Sequence, residues 1–239
     1  MLIWIILFFL VVGVSFFLAF RSMKDYREAP APSVAYSLFL VGRPQAFNSE
    51  LIQKLHSEAL NGKLALSFER LFKGSKRALV IFGPVGLLAP FKESLELTEI
   101  EDYSSRVSDY MRAWEVGKKS SQNNINLSIL EYIPTLHENE EFWWQIVTKP
   151  DKSSFKSTIR AVFRANQKER LLALSEELSR IGKGEGLAQI PEAYSSTQVV
   201  RFYQERSLPL GFSSDSTSLN LSFDEIHSLL GLQAESSSS

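Results

Sequence analysis

The chain has 239 residues, 44% of them hydrophobic and 12% aromatic, enough apolar material to bury a sizeable core. Acidic and basic residues nearly cancel, 27 against 26, so the basic excess that accompanies phosphate-backbone binding is missing and nucleic-acid binding has no support from charge. The absence of cysteine excludes disulfides within the chain, thiolate metal sites and thiol catalysis, and suits a cytoplasmic domain.

From Leu2 to Phe20 only Gly13 and Ser15 interrupt an apolar run that carries no charge. As a helix it rises about 30 Å, the thickness of a bilayer's hydrocarbon core, and satisfies its own backbone hydrogen bonds there. Residues 1–20 therefore read as a transmembrane anchor, with Leu2, Trp4, Phe8, Phe9, Phe16, Phe17 and Phe20 as its bulkiest lipid-facing side chains. A cleaved signal peptide fits less well, because no Lys or Arg precedes the core and the core is long. Basic residues follow it instead, at Arg21, Lys24 and Arg27. By the positive-inside rule these set the topology: N-terminus outside, remainder in the cytoplasm, at the plasma or inner membrane.

Residues 21–33 read as an extended juxtamembrane linker with Pro30 and Pro32. Residues 34–232 then form the expected cytoplasmic domain, with 34–105 and 106–232 as candidate subdomains and 233–239 as a polar, disordered tail. Val34 to Val41 reads as a largely buried strand. Asn48 is placed to cap a helix, Phe47 and Ile52 to staple it, and Asn61-Gly62 to stop it. Ala78 to Phe82 is wholly apolar, as in a central strand, and strand–helix–strand suggests a βαβ unit. Pro84 to Asp102 is expected to be partly helical around Phe91, Leu95 and Ile100.

Strands are expected at Tyr110 to Gly117 and Ile125 to Ile133, joined by a polar loop from Lys118 to Asn124. Phe142 to Val147 forms a hairpin through Pro150-Asp151-Lys152-Ser153 with a strand in which Phe155, Ile159, Ala161 and Phe163 alternate with Lys156, Thr158, Arg160 and Arg164. That alternation predicts one buried and one wet face. A helix beginning at Asn166, boxed by Glu169, carries the stripe Leu171, Leu174, Leu178 and Ile181 and ends at Gly182. A shorter helix spans Ser195 to Gln204, and Ser222 with Glu225 makes a capping box for the last one. The fold class is α+β: a transmembrane helix, then a mixed, largely antiparallel sheet with packed helices.

No motif carries chemistry. Gly83-Pro84-Val85-Gly86 lies between a strand and a possible helix but lacks the Gly-Lys-Ser/Thr ending of a phosphate loop. Gly182-Lys183-Gly184-Glu185-Gly186 follows a helix and carries a repelling glutamate. His56, His137 and His227 are far apart in sequence, and His137-Glu138-Asn139-Glu140-Glu141 misses the zincin spacing, so it reads as a solvated acidic loop. No Gly-x-Ser-x-Gly elbow is present. Neither catalytic residues, cofactor nor metal are expected. Of Trp143 and Trp144, strand alternation turns one ring outward, a possible partner interface.

Phe142-Trp143-Trp144-Gln145-Ile146-Val147, Phe155-x-x-x-Ile159-Arg160, Phe202-Tyr203-x-Glu205-Arg206 and Leu221-Ser222-x-Asp224-Glu225 resemble, in order and pattern, the region before the motor of membrane-associated conjugation and type IV secretion ATPases. The resemblance spans about Val34 to Leu232. It implies an α+β piece that helps seat a motor at the membrane. The Walker A lysine and Walker B pair are missing, so it implies a stand-alone platform beside a separately encoded ATPase. The expected function is a non-catalytic, single-pass docking protein of a DNA- or protein-transfer machine, with the lipid bilayer and that ATPase as partners. The alternative is a membrane-tethered enzyme or ligand-binding domain whose site assembles from dispersed residues.

Overall fold

The structure is a computed structural model that describes residues 2–24, 27–30, 33–105, 110–118, 130, 133–181, 187–189, 194–209 and 218–232. The expected strand at Ile125 to Ile133, the loop before it, Gly182 to Gly186 and the tail from Glu235 fall wholly or mostly outside these residues.

Helix α1 (Leu2–Lys24) is followed by the two-residue strand β1 (Arg27–Glu28). The stretch expected as a linker thus holds the end of a helix and a strand. Among the described residues no helix is long and apolar enough to cross a membrane.

The domain is built on one sheet. Strand β2 (Tyr36–Val41) leads through α2 (Ser49–Gly62) to β3 (Leu66–Lys73) and β4 (Lys76–Pro84). Asn48 caps α2 as its sequence predicts, its Oδ1 accepting from the Leu51 N–H at 2.9 Å, with Phe47 and Ile52 both buried. The helix ends at Gly62 as expected, with Lys63 as its left-handed C-cap. Ala78 to Phe82 lies in β4, a central strand between β2 and β3. It is not the second strand of a βαβ unit. It pairs antiparallel with both neighbours, so β2 and β3 run the same way with β4 between them. Gly74, at φ +54°, turns the β3–β4 hairpin, where a side chain is rarely accommodated.

After the short helix α3 (Val85–Leu88) and a 3-10 turn comes β5 (Leu97–Ile100), so Ile100 sits on a strand where a helix was expected. Strand β6 (Met111–Lys118) precedes the hairpin of β7 (Glu141–Asp151) and β8 (Ser154–Arg164). β7 runs on through Pro150, shortening the expected turn to Lys152-Ser153. Then follow α4 (Lys168–Ser179), β9 (Leu187–Gln189), α5 (Ser196–Glu205), β10 (Leu208–Pro209), β11 (Leu219–Leu221) and α6 (Phe223–Leu229).

The spatial order is β5-β2-β4-β3-β7-β8-β6-β9, with β11 on β8, and every described pairing is antiparallel. Both halves of the domain share the sheet through eight β3–β7 pairs, Leu66↔Thr148 to Lys73↔Glu141. β1 pairs separately with β10.

Both faces are covered. On one, Phe68, Trp144, Ile146, Phe155, Ile159, Ala161 and Phe163 pack with α2, α4 and α6 through Leu55, Leu174, Leu178 and Ile226. On the other, Trp143, Ala113 and Val162 meet Val199 and Tyr203 of α5. This second layer corrects two expectations. The alternate face of β8 is not wet, since Thr158, Arg160 and Val162 are fully buried. Nor does either tryptophan reach solvent: Trp143 and Trp144 are buried on opposite faces, which removes them as an interface.

Capping is mixed. Ser195 with Gln198 and Ser222 with Glu225 form complete capping boxes. Asn166 does not cap α4, whose N-cap is Gln167 with no side-chain bond.

Candidate functional site

The buried chemistry lies under α5. Glu69 of β3 stands opposite Gln145 of β7, Gln145 opposite Arg160 of β8, and Arg160 opposite Glu115 of β6. Cross-strand neighbours on one face lie within contact of each other, so four strands carry a continuous polar row. Gln145 Nε2 donates to Glu69 Oε1 at 2.9 Å, and Arg160 Nη1 donates to Gln145 Oε1 at 3.2 Å. Arg160 Nε donates to Glu115 Oε1 at 3.1 Å. The remaining Arg160 donors close the C-terminal end of α5, reaching the Phe202 carbonyl at 3.1 Å and the Ser207 carbonyl at 2.5 Å.

Two arginines from outside the row complete it. Arg27 grips Glu115 with both terminal nitrogens, at 2.9 and 3.2 Å, while its guanidinium lies 3.9 Å from the ring centre of Phe202 and 4.7 Å from that of Tyr194. Arg27 is therefore not the free juxtamembrane cation that the sequence suggests. Burial against rings and a carboxylate makes it a structural ion, and the side chains of Arg21 and Lys24 lie outside the described residues. At the other end Arg206 binds Glu69 at 3.0 Å and Asp102 at 2.8 Å. Arg206 holds φ +48° as the left-handed C-cap of α5, its backbone N–H donating to the Phe202 and Tyr203 carbonyls.

Tyr103 donates its hydroxyl proton to Glu69, which leaves Tyr203 to donate to Tyr103 across 2.6 Å. Burial, reinforced by the Glu69 charge, pushes both phenols well above their usual range, so both stay protonated donors. Burial lowers Arg160 to about 10, against the partial offset of Glu115. Arg206 moves the other way: Glu69 and Asp102 outweigh its burial and raise it. Burial alone would raise Asp102, yet the hydrogen bond and charge of Arg206 hold it below the usual carboxylate range.

Arg27, Arg160 and Arg206 are balanced by Glu69, Asp102 and Glu115. Each carboxylate is saturated by donors, so the arrangement can orient helix α5 on the sheet but presents no poised nucleophile or base. No motif announces it, because Glu69, Glu115, Gln145 and Arg160 come from four strands that only the folded sheet brings side by side. Its legible signal was the charge itself, Glu115 between Trp114 and Val116 and Arg160 between Ile159 and Ala161.

The histidines do not converge on a metal centre. His56 is buried, its Nε2 donating to the Ser154 carbonyl at 2.9 Å with its ring edge-on to Phe155. His137 is exposed beside Glu140. The acidic loop is not simply solvated, since Glu140 is buried and clamped by Arg170 at 2.7 and 2.8 Å. Among the described residues no cluster of His, Cys, Asp or Glu is placed to hold a metal ion.

The apolar surface lies elsewhere. Among the described residues, 12 of the 16 exposed large apolar side chains fall between Ile3 and Leu18 on α1. Trp4, Phe8, Phe9, Phe16 and Phe17 are each more than 60% exposed. The side chains of Leu2 and Phe20 are outside the described residues. A scan against protein-family models and a search of curated proteins found no match to this chain.

Proposed function

We propose that the chain is a single-pass, membrane-anchored docking protein whose α+β domain is a non-catalytic platform. The observation that carries this is the exposure of α1. A helix apolar on every bearing is stable only when buried in protein or in lipid, and the described side chains of α1 are covered by neither. Lipid is the environment that fits Ile3 to Leu18. The closed ion network under α5 supports a scaffold over an enzyme, because its charges are spent on one another.

The partner reading rests on the resemblance to the region before the motor of conjugation and type IV secretion ATPases. The domain would seat such an ATPase on the cytoplasmic side. With Arg27 sequestered, the orientation rests on Arg21 and Lys24. Affinity purification of the full chain from detergent-solubilised membranes tests the reading. Enrichment of a separately encoded ATPase, with nucleotide turnover lost when that protein is removed, is the expected result. Turnover that stays with the purified chain would overturn the platform reading.

A further inference from the structure

We infer that β1 is a strap whose seated Arg27 closes α5 over the buried polar row. Only residues 25 and 26 separate the end of α1 from Arg27. Arg27 then enters the domain between the Phe202 and Tyr194 rings and the Glu115 carboxylate. Its neighbour Glu28 receives Lys149 Nζ at 2.9 Å on both oxygens, fixing the strap to β7. The strap's backbone pairs with β10, Arg27 opposite Pro209 and Glu28 opposite Leu208. β10 follows directly on Arg206 and Ser207, so the strap, the end of α5 and the row are one contiguous assembly.

Pairing makes the strap necessary for closure. With Arg27 seated, the buried Glu115 carboxylate is held by two guanidiniums, those of Arg27 and Arg160. With Arg27 withdrawn, Glu115 keeps only Arg160, and Phe202 keeps only the more distant Arg160 guanidinium, 5.9 Å from its ring centre. A buried ion that loses its partner is expensive to keep dry, so water entry and lifting of α5 follow. The sheet's other layer does not depend on the strap, because α2, α4 and α6 pack on the opposite face. Withdrawing Arg27 therefore loosens one layer and leaves the other intact. The strap works in this way whatever surrounds α1.

Hydrogen exchange on the full chain in detergent tests this. Arg27→Ala should raise exchange tenfold or more at the amides of α5 and at Ser207 and Leu208, with β3, β7 and α2 unchanged. Equal acceleration everywhere, or none in α5, would overturn the strap. A second variant adds no destabilising truncation of Arg27. Because the chain has no cysteine, Glu28→Cys with Leu208→Cys places a unique pair at directly opposite positions of the β1–β10 ladder, within disulfide reach. Oxidation should slow α5 exchange relative to the reduced form, and reduction should restore it. Identical α5 exchange in the two redox forms would overturn the proposal even if Arg27→Ala fails to fold.

Discussion

Glu115 accepts from two guanidiniums at once, and this shared carboxylate governs how the row responds to mutation. Taking either charge class out of water costs several kcal/mol per ion, which only close, saturated pairing offsets. Removing Glu115 leaves Arg27 and Arg160 facing each other without their anion. Glu115→Ala should thus destabilise the protein by about 3–5 kcal/mol, read as a fall in the denaturant midpoint with little change in slope. A loss under about 1 kcal/mol would mean that water reaches the pair and the row is not dry. Asp102 gives a pH signature. Its folded pKa lies below the unfolded value of about 3.9, so its contribution is fully present above that value and is lost as pH falls through the folded pKa. Asp102→Asn should flatten the stability profile below about pH 4 and leave its shape near neutrality unchanged; an unaltered acid limb would contradict the Asp102–Arg206 pairing.

Elements were legible where local chemistry agrees with the fold. Ser195 and Ser222 announce their helices because each box satisfies backbone N–H groups within four residues. Asn166 offers the same letters without forming the bond, since α4 starts from Gln167. Ser195→Ala should accordingly cost about 0.5–2 kcal/mol and Asn166→Ala close to nothing, checked by thermal unfolding. Equal costs would place the α4 cap back at Asn166. The pairing of the α4 stripe with β8 was also legible, from two periodicities that point at each other. Leu174→Ala, at a buried position, should cost about 2–5 kcal/mol, whereas Lys156→Ala, exposed on β8, should change stability by no more than about 0.5 kcal/mol. A lysine change as damaging as the leucine change would mean that the two faces of β8 are misassigned. What stayed hidden was β3. Glu69 and Arg70 sit in the middle of that strand and are both buried, so its pattern matches neither a half-wet strand nor an apolar one. The burial of Glu69 depends on Arg206, Tyr103 and Gln145, contributed from 34 to 137 positions away in the chain, and no local window contains that information.

At the scale of the whole molecule, the same long-range dependence separates what α1 does from what the domain does. The domain covers its sheet on both faces and spends its buried charges internally, while α1 offers apolar rings that none of the domain's described residues cover. The strap joins the two, so trimming the chain is not neutral. A form beginning at residue 30 lacks Arg27 and should melt below one beginning at residue 25, although both lack α1. Equal melting temperatures would show that the domain closes without the strap. The docking function proposed for the chain requires α1 to be embedded in lipid. Alkaline carbonate extraction of membranes carrying the full chain tests it most directly, because it strips peripheral proteins and leaves integral ones. The full chain should stay in the membrane pellet through carbonate and high salt and leave only with detergent, whereas a chain lacking residues 1–24 should be released. Release of the full chain by carbonate or salt alone would contradict it.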